Sequence, residues 1–304
     1  MPPETRGPLS GVIAATVTPL RDGGRALDTA AVPRLVDFYA GAGMRGVFVA
    51  GSTGEGVLLT VDERRTLVES FLAAASEQFA VVAHVGGQTT AEAVALAEHA
   101  RAAGVTAVAA VGPPYYHYDD AELIAHFEMI ASACAPVPFY LYEIRDRTAY
   151  ALPETVVLAV QERAGNFVGM KVSDRRLDEL RRYILPGLDL MVGSEALIPD
   201  AVALGAVGAV SALAAALPRA VGRVFAGDEP GSHADALRSE LARYPFQSAL
   251  TTALVALGVL DDPSVRRPLR PLADAEREAL TAWLESVAIP GERASESYAD
   301  SPAA

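Results

Sequence analysis

Cysteine is all but missing from this chain of 304 residues: Cys134 stands alone. That excludes an intrachain disulfide and any cluster of thiolates around a metal, and leaves Cys134 to be read as a small hydrophobe in a helix. Long apolar runs are missing as well. No stretch approaches the roughly 18 to 20 residues that span a bilayer, and Met1 to Ser10 lacks the basic-then-apolar layout of a signal peptide. The expectation is a cytoplasmic protein with no membrane partner. Positive charge is in short supply: the formal net charge is −13, and no basic stripe interrupts it. A phosphate backbone is repelled by such a surface, so nucleic acid is not an expected partner. His84, His99, His117 and His126 are scattered without metal-ligand spacing, and no metal is expected.

Lysine is the scarcest charged residue. The 25 basic residues are 24 arginines and Lys171. Arginine replaces lysine wherever a surface needs positive charge, but a guanidinium stays protonated and cannot serve as an amine nucleophile. A lysine kept alone is therefore a candidate for chemistry that arginine cannot do. The competing reading is the chance survival of one surface lysine, and the position of Lys171 decides between them.

What the chain does have is apolar material, 51% of its residues, enough for a sizeable core. Short valine-rich runs alternate with longer stretches of helical period, the pattern of repeated β/α units around a parallel sheet. The runs are Val12 to Val17, Val47 to Ala50, Val81 to His84, Ala107 to Val111, Phe139 to Tyr142, Phe167 to Lys171, Leu190 to Gly193 and Ala209 to Ser211. Helices are expected between them, for example Asp62 to Glu77, with acidic residues at its start, and Thr90 to Ala103, closed by Gly104. Two α/β domains also give such alternation, but even spacing from residue 11 to 212 without a linker favours one closed barrel. The fold expected is α/β, a (β/α)8 TIM barrel over 8–215 with a C-terminal helical extension over 216–289. Within the extension helical patterns run over Pro218 to Ala226, His233 to Leu257 and Asp274 to Val287, with Trp283 as a packing anchor. The ends, 1–7 and 290–304, are expected to be flexible.

Active sites of such barrels lie where strands end and β-to-α loops begin. The sixth run, Phe167-Val168-Gly169-Met170-Lys171, ends in the only lysine, and an ammonium desolvated at a barrel mouth loses some preference for its charged form. The second run leads into Gly51-Ser52-Thr53-Gly54-Glu55, where glycines, hydroxyls and free N–H groups can hold a carboxylate. An ordinary glycine turn is the plainer reading. In Phe139-Tyr140-Leu141-Tyr142 alternation places Tyr140 and Tyr142 on one face, so that Tyr142 at the mouth can pass a proton, or can simply pack. The fourth run is followed by Gly112-Pro113-Pro114-Tyr115-Tyr116, a rigid loop with two phenols.

With these segments in this order the chain resembles the dihydrodipicolinate synthase/N-acetylneuraminate lyase family of Schiff-base-forming, pyruvate-dependent aldolases. The motifs are Gly51-Ser52-Thr53-Gly54-Glu55, Pro114-Tyr115-Tyr116, the strand-five tyrosine followed by Arg147-Thr148, and Gly169-Met170-Lys171, supported by Thr18-Pro19. Ala83-His84-Val85-Gly86 is most similar to the sialic-acid lyase branch. The resemblance implies that Lys171 condenses with pyruvate or another 2-oxo acid, and that Ser52 and Thr53, with Gly51, bind its carboxylate. It implies further that Tyr142 relays protons, and that no cofactor is needed because the protonated imine is itself the electron sink. Tyr115, or alternatively Tyr116, reaches a neighbouring site in some members, which implies a homo-oligomer, tetramer or dimer. Arg147, Ser173 and Ser211 join the substrate-binding set.

Departures surround the second substrate. Relatives commonly have Tyr-Asn-x-Pro where this chain has Tyr142-Glu143-Ile144-Arg145, and Glu143, Arg145 and Asp146 read as a charged surface group, paired with one another or touching substrate. Gly193-Ser194-Glu195-Ala196 matches the lyase pattern in part, with Ala196 in place of a carboxylate. The resulting expectation is a lyase or aldolase joining a 2-oxo acid to an aldehyde. Dihydrodipicolinate synthase and a 2-oxo-3-deoxy sugar acid dehydratase are the alternatives within the family, and a non-catalytic 2-oxo-acid-binding paralogue is the alternative outside catalysis.

Overall fold

Each of the eight apolar runs forms a strand, because valine, alanine and the aromatics fill both sides of a sheet that is covered within and without. The structure, a computed structural model, describes residues 7–287; the tails expected at 1–7 and 290–304 lie outside these residues except for Gly7. The barrel strands are β1 (Gly11–Ala14), β2 (Gly46–Val49), β3 (Ala80–His84), β4 (Ala107–Val111), β5 (Phe139–Glu143), β6 (Phe167–Val172), β7 (Asp189–Val192) and β8 (Gly208–Ser211). All neighbouring pairs are parallel, and β1 pairs with both β2 and β8, closing a TIM barrel.

Among the described residues as far as Ala226, eight helices of five residues or more lie outside the strands: α1 (Val32–Gly41), α2 (Val61–Ala74), α3 (Thr90–Ala103), α4 (Asp120–Cys134), α5 (Glu154–Arg163), α6 (Leu177–Arg181), α7 (Ile198–Ala203) and α8 (Pro218–Ala226). Local signals set their ends. Thr60 and Glu63 form a reciprocal capping box at the start of α2, as Asp119 and Glu122 do for α4, while Gly104 ends α3 in the left-handed region. Helix α2 stops at Ala74, short of the expected Glu77, because Ala75 is already extended.

Alternation divides the core into two layers. Ile13, Phe48, Val82, Tyr140, Tyr142 and Met191 fill the barrel interior. Their neighbours Val12, Val47, Val81, Leu141, Met170 and Leu190 face the helices. Burial of each large apolar side chain contributes roughly 1.5–3 kcal/mol. Cys134 is buried in this outer layer, with its thiol pushed up to about 11 by burial.

The C-terminal region differs from expectation at one point. The helix read over His233 to Leu257 is two helices, α9 (Gly231–Leu241) and α10 (Phe246–Ala256), with Pro245 as the N-cap residue of α10. Proline cannot donate into a continuing helix and disfavours helical backbone at the residue before it, so the chain turns at 242–245. The final helix, α11 (Asp274–Val287), packs Trp283 against the core. No helix among the described residues is long and apolar enough to cross a membrane.

Candidate active site

Lys171 sits between Met170 and Val172, both of which face the helices, so strand alternation sends its side chain into the barrel. It is only 4% exposed. The Lys171 Nζ lies 3.9 Å from the centre of the Tyr142 ring and 4.2 Å from that of Phe48. Burial holds the amine below the ordinary lysine range, and the nearby Tyr142 and the Glu195 carboxylate oppose that shift. The surface-lysine reading is thereby excluded.

Tyr142 is placed by register, since its Cα pairs with that of Lys171 across β5 and β6. Its ring stands edge-on to Phe48 at 5.8 Å and to His84 at 5.9 Å between centroids, which fixes its orientation in the mouth. His84 donates from Nδ1 to the Ala50 carbonyl at 3.0 Å, because a carbonyl can only accept. Burial and the cations Arg64 and Lys171 push this histidine well below its usual range, so it is neutral.

The Gly51–Glu55 segment turns sharply out of β2. Ala50 and Glu55 both take left-handed backbone at φ 57°. A Cβ at Gly56 would lie 1.8 Å from the Ala50 carbonyl oxygen, so the turn closes only around glycine. Thr18 anchors it by donating to the Gly54 carbonyl at 2.5 Å, and Gln247 donates to the Ser52 carbonyl at 3.3 Å. Ser52 and Thr53 then line the same cavity as Lys171 and Tyr142, a space of about 340 Å³ at the C-terminal end of the strands.

Arg147 and Ser173 also line this cavity, as do Arg175 and Ser194. Gly193 lets the β6 and β7 ends approach, for a Cβ there would meet Ser173 Oγ at 2.1 Å. Gly51 lines a neighbouring cavity of about 370 Å³ that shares Ser52, Ile144, Arg147 and Gln247 with the first. Ser211 stands behind the wall: its hydroxyl donates to Glu195 Oε1 at 2.8 Å. Tyr115 and Tyr116 are outside the cavity, 84% and 66% exposed, stacked edge-on at 5.0 Å, with Tyr115 at φ 85°.

One placement differs from the sequence reading. Glu143 is not a surface group; it is 1% exposed and accepts the Leu152 N–H at 2.8 Å, because alternation turns it out of the barrel beneath the following loop. Glu195 is likewise buried, accepts the Leu213 N–H at 2.9 Å and pairs with Arg238 at 3.2 Å. Arg238 lies over the Phe246 ring at 4.7 Å, and with Asp235 and Gln247 it brings the C-terminal helices into the site. These residues were missed. One signal was available: Arg238 lies four residues after Ala234 and one after Leu237, on the apolar side of α9, where an unpaired guanidinium is costly.

Similarity to known proteins runs through nearly the whole chain. A model of the dihydrodipicolinate synthetase family matches residues 8–287. The N-acetylneuraminate lyase of Rhizobium meliloti is 31% identical over 297 residues, covering 91% of this chain and 97% of its own. A 4-hydroxy-tetrahydrodipicolinate synthase of Pelobacter propionicus is 30% identical over 297 residues, covering 92% and 99%. Among solved structures, the N-acetylneuraminate lyase of Proteus mirabilis superposes with a TM-score of 0.83 at 25% identity, over 93% of this chain and 99% of that one.

Proposed function

Because the chain belongs to the dihydrodipicolinate synthetase family and is an enzyme of the synthase and lyase type found there, we propose that Lys171 forms a Schiff base with pyruvate or a related 2-oxo acid. The observation that carries this reading is the meeting of the only lysine, desolvated, with Tyr142, Ser52 and Thr53 around one cavity.

The chemistry follows from those groups. Ser52 and Thr53, with backbone N–H groups of the turn, hold the 2-oxo acid by its carboxylate. The neutral amine of Lys171 adds to the C2 carbonyl, and loss of water gives a protonated imine. That cation accepts the electron pair when C3 loses a proton, forming an enamine; the enamine carbon attacks an aldehyde, and the new alkoxide takes a proton. Tyr142, as general base and acid, carries protons during imine formation, takes the C3 proton and returns a proton to the alkoxide. Hydrolysis frees the amine and the product, and cleavage runs through the same states in reverse.

Arg147, Ser173 and Arg175 flank the half of the cavity left for the aldehyde. Arg147 favours an aldehyde partner of the synthase kind; the same imine in a 2-oxo-3-deoxy sugar acid dehydratase would eliminate water instead. Tyr115, or Tyr116, exposed on its rigid loop, is assigned to the site of a second copy in a homo-oligomer.

The test is turnover. Pyruvate is incubated with a panel of aldehydes, among them a semialdehyde bearing a carboxylate and an N-acylated sugar, and its consumption is followed. Consumption with at least one aldehyde, abolished by Lys171→Arg, is the expected result. Consumption unchanged in that variant would overturn the proposal.

A further inference from the structure

Tyr142 faces into the barrel, and its neighbour Glu143 faces the other way, buried beneath the segment that follows β5. One carboxyl oxygen, Oε2, accepts the N–H of Leu152; the other, Oε1, is buried with no hydrogen-bond partner. Leu152 is held from its other side too, because Tyr183 donates its hydroxyl to the Leu152 carbonyl at 2.9 Å. Within the loop Thr148 donates to the Tyr150 carbonyl at 2.6 Å, and Tyr150 donates to the Pro113 carbonyl at 2.9 Å. The loop so tied down carries Ile144, Asp146 and Arg147 onto the wall of the active-site cavity.

We infer that Glu143 is a positioning residue: its protonated carboxyl seats the 144–152 loop over the site, and its ionisation releases it. The reason is the company the carboxyl keeps. Asp174, on the loop after β6, repels a negative charge at Glu143; Tyr150 and Tyr183 are near enough to feel that charge and are themselves kept neutral by burial; and Arg145, the cation beside it, is exposed. A neutral carboxyl leaves one polar O–H without a partner. A carboxylate leaves a buried charge, the costlier of the two.

Burial, opposed by the Leu152 and Arg145 N–H groups and the Arg145 charge and aided by Asp174, pushes Glu143 up to about 7 from the ordinary 4.5. A carboxyl raised in the folded state favours the seated loop fully below the ordinary value, and that preference is lost as pH rises from about 4.5 through about 7. The significance for catalysis rests on the proposed function, since Arg147 flanks the aldehyde's place; the movement itself does not.

Amide hydrogen exchange of the whole protein between pH 5.5 and 8.5, corrected for intrinsic exchange rates, tests the inference. In the wild type the Leu152 amide and its loop are expected to lose protection on the order of tenfold per pH unit as pH rises towards about 7, and to level off above it. In Glu143→Gln protection stays flat. Asp174→Asn moves the transition to lower pH by removing the charge that raises Glu143. A flat wild-type profile, or the same transition in Glu143→Gln, overturns the inference. If Glu143→Gln does not fold, the Asp174→Asn profile decides, and an unmoved transition is the contrary result. Borohydride trapping of pyruvate on Lys171 in the same samples at pH 6 keeps the two readings apart: absence of adduct counts against the Schiff base and leaves the loop result standing.

Discussion

Tyr142 and Lys171 are lateral partners across β5 and β6, and the amine nitrogen rests 3.9 Å from the centre of the phenol ring. Backbone pairing therefore sets their relationship, and side-chain substitutions can probe it without moving either strand. Tyr142→Phe keeps the ring packing against Phe48 and His84 and removes only the hydroxyl. It is expected to lower kcat about 10²- to 10⁴-fold, the usual worth of a positioned proton carrier, with a smaller change in KM for the 2-oxo acid. Steady-state kinetics measure both, and an unchanged kcat would contradict the assignment.

The rate of adduct formation on Lys171 should rise with pH as the ammonium loses its proton, with a midpoint below that of ordinary lysine, because burial disfavours the charged form. Glu195 pulls the other way by stabilising the ammonium. Glu195→Gln, which keeps an acceptor for Ser211 and Leu213, is expected to move the midpoint lower still. A midpoint that moves upward contradicts this electrostatic account.

Arg238 and Glu195 form a partly buried pair in which the carboxylate is 1% exposed. Removing the cation with Arg238→Ala strands that charge, and the expected cost is about 3 kcal/mol, the low end of the range for breaking buried pairs because Ser211 and Leu213 still donate to it. Arg238→Ala combined with Glu195→Gln should recover most of the loss. Denaturant unfolding measures both; a single variant as stable as the wild type removes the pair from the account.

Gly56→Ala places a methyl group where the Ala50 carbonyl already is. The turn carrying Ser52 and Thr53 must shift, so KM for the 2-oxo acid is expected to rise well before the barrel unfolds, with a stability loss of about 1–3 kcal/mol. Unaltered KM would show that the turn does not bind the carboxylate.

The strands were legible because each is a compact valine- or alanine-rich run, and their termini mattered little: β1 ends at Ala14 where the sequence pattern continues to Val17, yet Lys171 and Tyr142 fall at the mouth as their alternation requires. Glu143 was harder to read. Among Arg145, Asp146 and Arg147 its charge suggests solvent, and only the pleat, which turns every second residue of β5 outward, hides it under the loop. Arg238 was harder still, since nothing local in α9 says that the helix swings over the barrel. That placement depends on the turn at Pro245 and on Glu195, 43 residues away in sequence.

The most direct measurement is the mass of the protein after treatment with pyruvate and borohydride, followed by peptide mapping. With one lysine in 304 residues the readout has a single side-chain candidate. The account predicts a reduced pyruvate adduct on the peptide containing Lys171, absent from Lys171→Arg although that variant folds. A protein that turns over a 2-oxo acid yet carries no adduct at Lys171 would contradict it.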